Sequence, residues 1–206
     1  SVPAKNIPKE RLVSIFPEFS PLKVKYKDVF DLKGFYEDFW EWLKEHEWKD
    51  VEEKLDKFER FYGERVGAGG VREIWIRWRP YKPAKDASYL TYYFDIDFHV
   101  IGLTATEIIK DGKKLKVDKG EIEVILKAFI EKNYEEKFKE HSLLRQVVDI
   151  FSLRVYKKTL EDRQRELYRE AYVLQTFIKQ WFKLKTHLPY EEVESFYPGK
   201  AWPSHK

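Results

Sequence analysis

Apolar residues recur along the chain with two different periods. Through the middle they fall at every second position. Ile74, Ile76 and Trp78 alternate with Trp75, Arg77 and Arg79, the spacing of a half-buried strand. Leu90, Tyr92, Phe94, Ile96, Phe98 and Val100 face one way, and Thr91, Tyr93, Asp95, Asp97 and His99 face the other. The run 89–101 predicts an unusually long strand, expected to bend near Gly102. Lys110-Asp111-Gly112-Lys113 predicts a hairpin, because Asp-Gly supplies the positive φ of a type I′ turn. Asp118-Lys119-Gly120 reads as a second turn. Ile122, Val124, Leu126, Ala128 and Ile130 then alternate with charged residues and complete an antiparallel meander.

Elsewhere the apolar positions recur at helical spacing. Asp31 is placed to cap a helix carrying Leu32, Phe35, Tyr36, Phe39, Leu43 and His46 on one face. Its acidic residues Glu37, Asp38, Glu41, Glu45 and Glu47 read as a solvated face. Asp50 and Glu53 have capping-box spacing and predict a second helix bearing Val51, Leu55, Phe58 and Tyr62, with Gly63 at its end. Gly67-Ala68-Gly69-Gly70 lacks the Lys-Ser/Thr of a phosphate loop and reads as a flexible connection. Phe138, His141, Leu144, Val148 and Phe151 mark a further helix over 134–151. Leu153, Leu160, Leu167, Leu174 and Trp181 then recur every seven residues. They predict a helix over 153–185, about 50 Å long. The stripe reads either as a coiled-coil seam or as the face of a helix packed on its own sheet. The polar stretch 161–166 predicts a solvated segment.

The ends differ from this body. Residues 1–21 carry Pro3, Pro8, Pro17 and Pro21 and read as an extended arm, with one short turn at 11–16. Residues 22–185 form a single α+β domain. Residues 186–206 form a tail with Pro189, Phe196, Tyr197, Pro198, Trp202 and Pro203. With 206 residues, 43% of them hydrophobic, the domain can bury one sizeable core. No run approaches the ~20 apolar residues of a membrane span. The start, Ser1-Val2-Pro3-Ala4-Lys5, does not resemble a secretory leader, so a cytoplasmic or virion setting is expected.

Composition narrows the chemistry. The chain has no Cys and no Met, which excludes disulfides, thiolate metal sites and Cys nucleophiles. Charged residues make up 36%, mostly Lys and Glu, and Asn is confined to Asn6 and Asn133. This pattern suggests a thermophilic, archaeal source. The net charge of +3 is too small to argue for nucleic acid by itself.

Three groups of residues are candidates for sites. Asp95, Asp97 and His99 lie on one strand face, and two carboxylates beside an imidazole suit a divalent metal. Their alternative role is to line the polar face of a sheet, with Arg77 and Arg79 as cross-strand partners. Trp75, Arg77, Arg79, Tyr81, Lys82 and Lys85 interleave aromatic and basic residues, as surfaces that stack bases and neutralise phosphates do. Lys110, Lys113, Lys114, Lys116 and Lys119 add a basic hairpin. Lysines of this kind also guard sheet edges. Leu153, Leu160, Leu167, Leu174, Trp181 and Trp202 are the candidate oligomer contacts. No catalytic constellation emerges, and no cofactor is expected.

The predicted order is a short strand, two helices, an antiparallel meander and a long C-terminal helix. It resembles the helix-grip (START-like) arrangement over residues 22–185, with the helix at 134–151 as a departure. The resemblance implies a curved sheet wrapping the long helix and an apolar cavity between them. Val29-Phe30-Asp31-Leu32, Glu41-Trp42-Leu43 and Asp95-Ile96-Asp97-Phe98-His99 are similar to stretches of uncharacterised archaeal proteins. The leading expectation is a non-enzymatic structural or interaction protein, assembling with itself through its arms and long helix. Binding of a hydrophobic ligand, or of nucleic acid through residues 75–85, is the alternative.

Overall fold

The computed structural model describes residues 7–50, 58–87, 89–110, 113–133 and 155–185. They form an α+β fold. Strands β1 (Leu12–Ser14) and β2 (Leu22–Phe30) lead into helix α1 (Leu32–Glu45). Strands β3 (Glu59–Val66), β4 (Arg72–Trp78), β5 (Tyr81–Pro83), β6 (Leu90–Lys110) and β7 (Lys113–Lys132) follow. The long helix α2 (Val155–Lys185) comes last.

All seven strands join one antiparallel sheet. The long strands β6 and β7 form its spine. β2 and β1 lie one after the other along the free side of β7. β4 and β5 do the same along β6, and β3 closes that side on β4. The earliest strands therefore pair with the latest one.

The long strand does bend at Gly102, where the register with β7 shifts between Ile101 and Thr104. Gly102 takes φ 66° there, a conformation costly for residues with a Cβ. Gly120 is the matching residue across the gap. It is not a turn, as its sequence suggests, but an interior residue of β7. A Cβ at Gly120 would stand 3.1 Å from the Ile101 carbonyl oxygen. The glycine is needed for close backbone approach, and the 118–120 turn is corrected on that ground.

The second N-terminal helix is also corrected. Residues 59–66 form β3, paired with β4 through a glycine turn in which Gly69 and Gly70 take φ 71° and 78°. Phe58 and Tyr62 fit a helical face by spacing alone. The hairpin instead places Tyr62 opposite Ile76 of β4 and gives the Phe58 carbonyl the Arg79 N–H. Gly63 lies mid-strand under the Phe61 ring. The Asp50 side chain accepts a 2.5 Å hydrogen bond from Arg60. The remaining positions of that predicted helix, 51–57, lie outside the described residues. So do the helix expected at 134–151, Leu153, and the tail 186–206 with Trp202.

Both helices cover one face of the sheet. The inward residues of β4, β6 and β7 are buried from Ile74 to Ile130, in the alternation read from the sequence. α1 contributes Phe35, Phe39, Trp42 and Leu43, and α2 contributes Leu167, Ala171, Leu174, Phe177 and Trp181. Rings fill the layer between them. Phe39 lies 5.3 Å from Trp78, 5.4 Å from Phe98 and 5.9 Å from Phe177, centroid to centroid. Phe35 lies 5.0 Å from Trp181. The 31 residues of α2 span about 46 Å, across the sheet rather than away from it. The described part of the N-terminal arm also lies on its own domain. β1 extends the sheet, and Ile7 and Phe16 are buried.

Candidate interaction surface

The sheet face opposite the helices carries the Asp95, Asp97 and His99 constellation. Arg79 reaches it from the end of β4. Its Nη2 donates to Asp97 Oδ1 at 2.6 Å, and its Nε stands 3.3 Å from Asp95 Oδ1. Its Nη1 donates to the carbonyls of Trp78 and Ile96 at 2.7 and 3.2 Å. Asp95 is fully buried and Arg79 nearly so. The arginine thus neutralises both carboxylates of the predicted metal set. The third member is drawn elsewhere, since His99 Nε2 lies 3.0 Å from Glu73 Oε1 and its ring stacks on Trp75 at 5.4 Å. Among the described residues no three His, Asp or Glu side chains are grouped to hold a metal ion. The arrangement is a structural charge cluster.

The aromatic and basic residues of 75–85 are dispersed in the same way. Arg79 is committed to the carboxylates. Lys82 turns to the helix side, where its Nζ lies 2.9 Å from Glu170 of α2. Arg77 is exposed and lies over the Phe61 ring at 5.2 Å. Lys85 is exposed and pairs with Glu47. Tyr81 packs 6.3 Å from Tyr93. These six side chains do not make one continuous basic face. In the basic hairpin, Lys114 pairs with Glu107.

The heptad stripe of α2 faces inward. Leu167, Leu174 and Trp181 are buried in the chain's own core, and Leu160 packs against it. They are not available to a coiled-coil partner. Polar anchors reinforce the docking of the helix. Tyr92 donates to Glu166 at 3.1 Å, Trp48 to Glu170 at 2.9 Å, and Trp181 to Asp38 at 2.6 Å. Glu166 lies in the stretch that reads as solvated. Its contact with Tyr92 has no signal in a polar run, because the partner is distant in sequence.

These buried phenols carry a pH dependence. Burial first, then the neighbouring Glu166, raises the pKa of Tyr92, and burial with Glu131 raises that of Tyr93. Tyr36 is pushed up to about 12 by burial and by Glu59. The fold therefore favours the neutral phenols. Their stabilisation is complete below the unfolded value of 10.0 and is lost as pH rises through the higher folded values. The melting temperature should be level from pH 8 to 10 and fall above it. Tyr93→Phe should make that fall shallower; an unchanged slope would exclude the Tyr93–Glu131 contact as a cause.

A different surface emerges where the arm crosses α2. Phe16 lies 5.5 Å from Tyr168 and 6.1 Å from Tyr172, and the two tyrosines lie 4.7 Å apart. Tyr168 and Tyr172 are 45% and 39% exposed, and Phe19 nearby in sequence is 92% exposed. A groove of about 500 Å³ runs beside them, between Ser14–Ile15 of the arm and Arg165 and Arg169 of the helix. The i, i+4 spacing of the tyrosines was visible in the sequence. It lies outside the heptad stripe, on the exposed side of α2.

Among the described residues no helix is long and apolar enough to cross a membrane. No protein-family model, curated protein or solved structure matches the chain.

Proposed function

We propose that this chain is a non-enzymatic structural or interaction protein that associates with copies of itself. The observation that carries this reading is the exposed tyrosine pair Tyr168 and Tyr172, packed on the buried Phe16 ring at the crossing of arm and long helix. Contiguous exposed apolar surface of this kind marks interaction sites, and tyrosine is enriched in them. The arm and helix thus remain the assembly elements, but through their outer side. The heptad stripe is committed to the core.

The alternatives have less support. A hydrophobic-ligand site needs room between sheet and helix, and rings occupy that layer at contact distance. Nucleic-acid binding through residues 75–85 needs Arg79 and Lys82, which are paired with carboxylates.

Light scattering on a size-exclusion column tests the reading. At tens of micromolar the chain should elute with a mass above the 25.0 kDa of one copy. The variant Tyr168→Arg/Tyr172→Arg should lower that mass with an unchanged circular dichroism spectrum. A wild-type chain that stays at the mass of one copy overturns the proposal.

A further inference from the structure

β3 is the last strand on its side of the sheet, and among the described residues nothing pairs with its outer edge. Edge strands are usually protected, because their open backbone groups template pairing with another chain. β3 instead exposes Phe61, Tyr62 and Val66, at 46%, 50% and 63%.

The hairpin hydrogen bonds fix which backbone groups of β3 are open. Gly67 N–H donates to the Val71 carbonyl at 2.8 Å, and Arg79 N–H donates to the Phe58 carbonyl at 2.9 Å. Antiparallel bonding alternates along a strand. Arg65, Gly63 and Phe61 therefore bond to β4, and Val66, Glu64 and Tyr62 turn their N–H and C=O outward. A second copy related by a two-fold axis must match outward groups with outward groups. The axis must then pass through a residue, not between two.

Charge selects among the axes left. With the axis at Tyr62, Glu64 and Arg65, whose own-chain partners Arg72 and Glu73 lie at 3.8 and 3.9 Å, face Arg60 and Glu59 of the other copy, which also hold Asp50 and accept from Tyr36; each pairing occurs twice. Phe61 then opposes Gly63, which has no side chain of its own and lies under the Phe61 ring of its own copy. An axis at Gly63 sets Arg60 against Val66 and Phe61 against Arg65. An axis at Glu64 sets that carboxylate against its own mate. A β-bulge lies between Glu59 and Phe61, at the end of this ladder, and Arg60 reaches Asp50 from it.

We infer that β3 pairs antiparallel with β3 of a second copy, across a two-fold axis at Tyr62. Two seven-stranded sheets then become one continuous sheet. The inference rests on the self-association reading but uses a different surface from the Tyr168–Tyr172 seam.

The absence of cysteine makes the test direct. Paired residues on such an axis lie about 5.5 Å apart at Cα, within disulfide reach. Tyr62→Cys, at a half-exposed position, should form an inter-chain disulfide in mild oxidant, and Glu64→Cys alone should not. Arg65→Glu should weaken the dimer roughly tenfold by setting like charges opposite at two places. A heterodisulfide between Tyr62→Cys and Glu64→Cys chains, in place of the Tyr62→Cys homodisulfide, moves the axis to Gly63 and overturns the proposal. An assembly that forms without cross-linking at position 62 also overturns it, while self-association stands. A chain that never exceeds the mass of one copy overturns both.

Discussion

Replacing Arg79 with leucine should destabilise the fold by about 3–5 kcal/mol, the cost of leaving a buried charge without its partner. Arg79 is the hub of four contacts, two to carboxylates and two to carbonyls. Asp95 cannot turn to water when the guanidinium is gone, because it is fully buried. Denaturant unfolding at fixed protein concentration measures the loss. The double variant Arg79→Leu/Asp95→Leu should regain much of it, since removing both members of a buried pair is far cheaper than removing one. If the single variant loses less than 1 kcal/mol, the cluster is solvated and its structural role is wrong. If the double variant is as unstable as the single, the cost lies in lost packing rather than stranded charge.

Phe39→Ala should cost a similar amount, about 3–5 kcal/mol, for a different reason. Phe39 is fully buried where α1, the sheet and α2 meet. It touches Phe35, Trp78, Phe98 and Phe177. Rigid rings on four sides collapse poorly into a void, so the cavity component should be near the top of its range. Phe39→Leu should recover most of the loss. A small effect from Phe39→Ala would mean that the aromatic layer is loosely packed. It would reopen the space that a bound hydrophobic molecule needs.

These two residues differ in how readable they were. Phe39 was legible, because helical spacing placed it with Phe35 and Leu43. The alternation in β6 and β7 was equally plain, since period two over many residues has no helical interpretation. The bend at Gly102 followed from strand length alone. β3 was misread because Val51, Leu55, Phe58 and Tyr62 satisfy helical spacing, while pairing with β4 is a non-local fact. Asp118-Lys119-Gly120 was misread because a glycine required for close approach looks like a glycine required for a turn. The Asp95 and Asp97 face is legible from the alternation, and of its two readings the structure shows the arginine-paired one. Arg79 is the cross-strand partner that the alternation offers for Asp95 and Asp97, and which of Arg77 and Arg79 takes that place depends on cross-strand position. The tyrosine seam was missed because an exposed i, i+4 pair looks ordinary until the arm is seen crossing it.

The pairing of β2 with β7 bears on how the chain is made. Leu22 lies opposite Leu126, half the chain away. Contacts between such distant segments form late, after the entropy of closing the intervening loop has been spent. During synthesis β2 leaves the ribosome long before its neighbour exists. The sheet can close only after β7 has emerged, and its central strand β6 must wait with one side open. The nascent chain thus passes through a period in which its most apolar strands have no permanent partner.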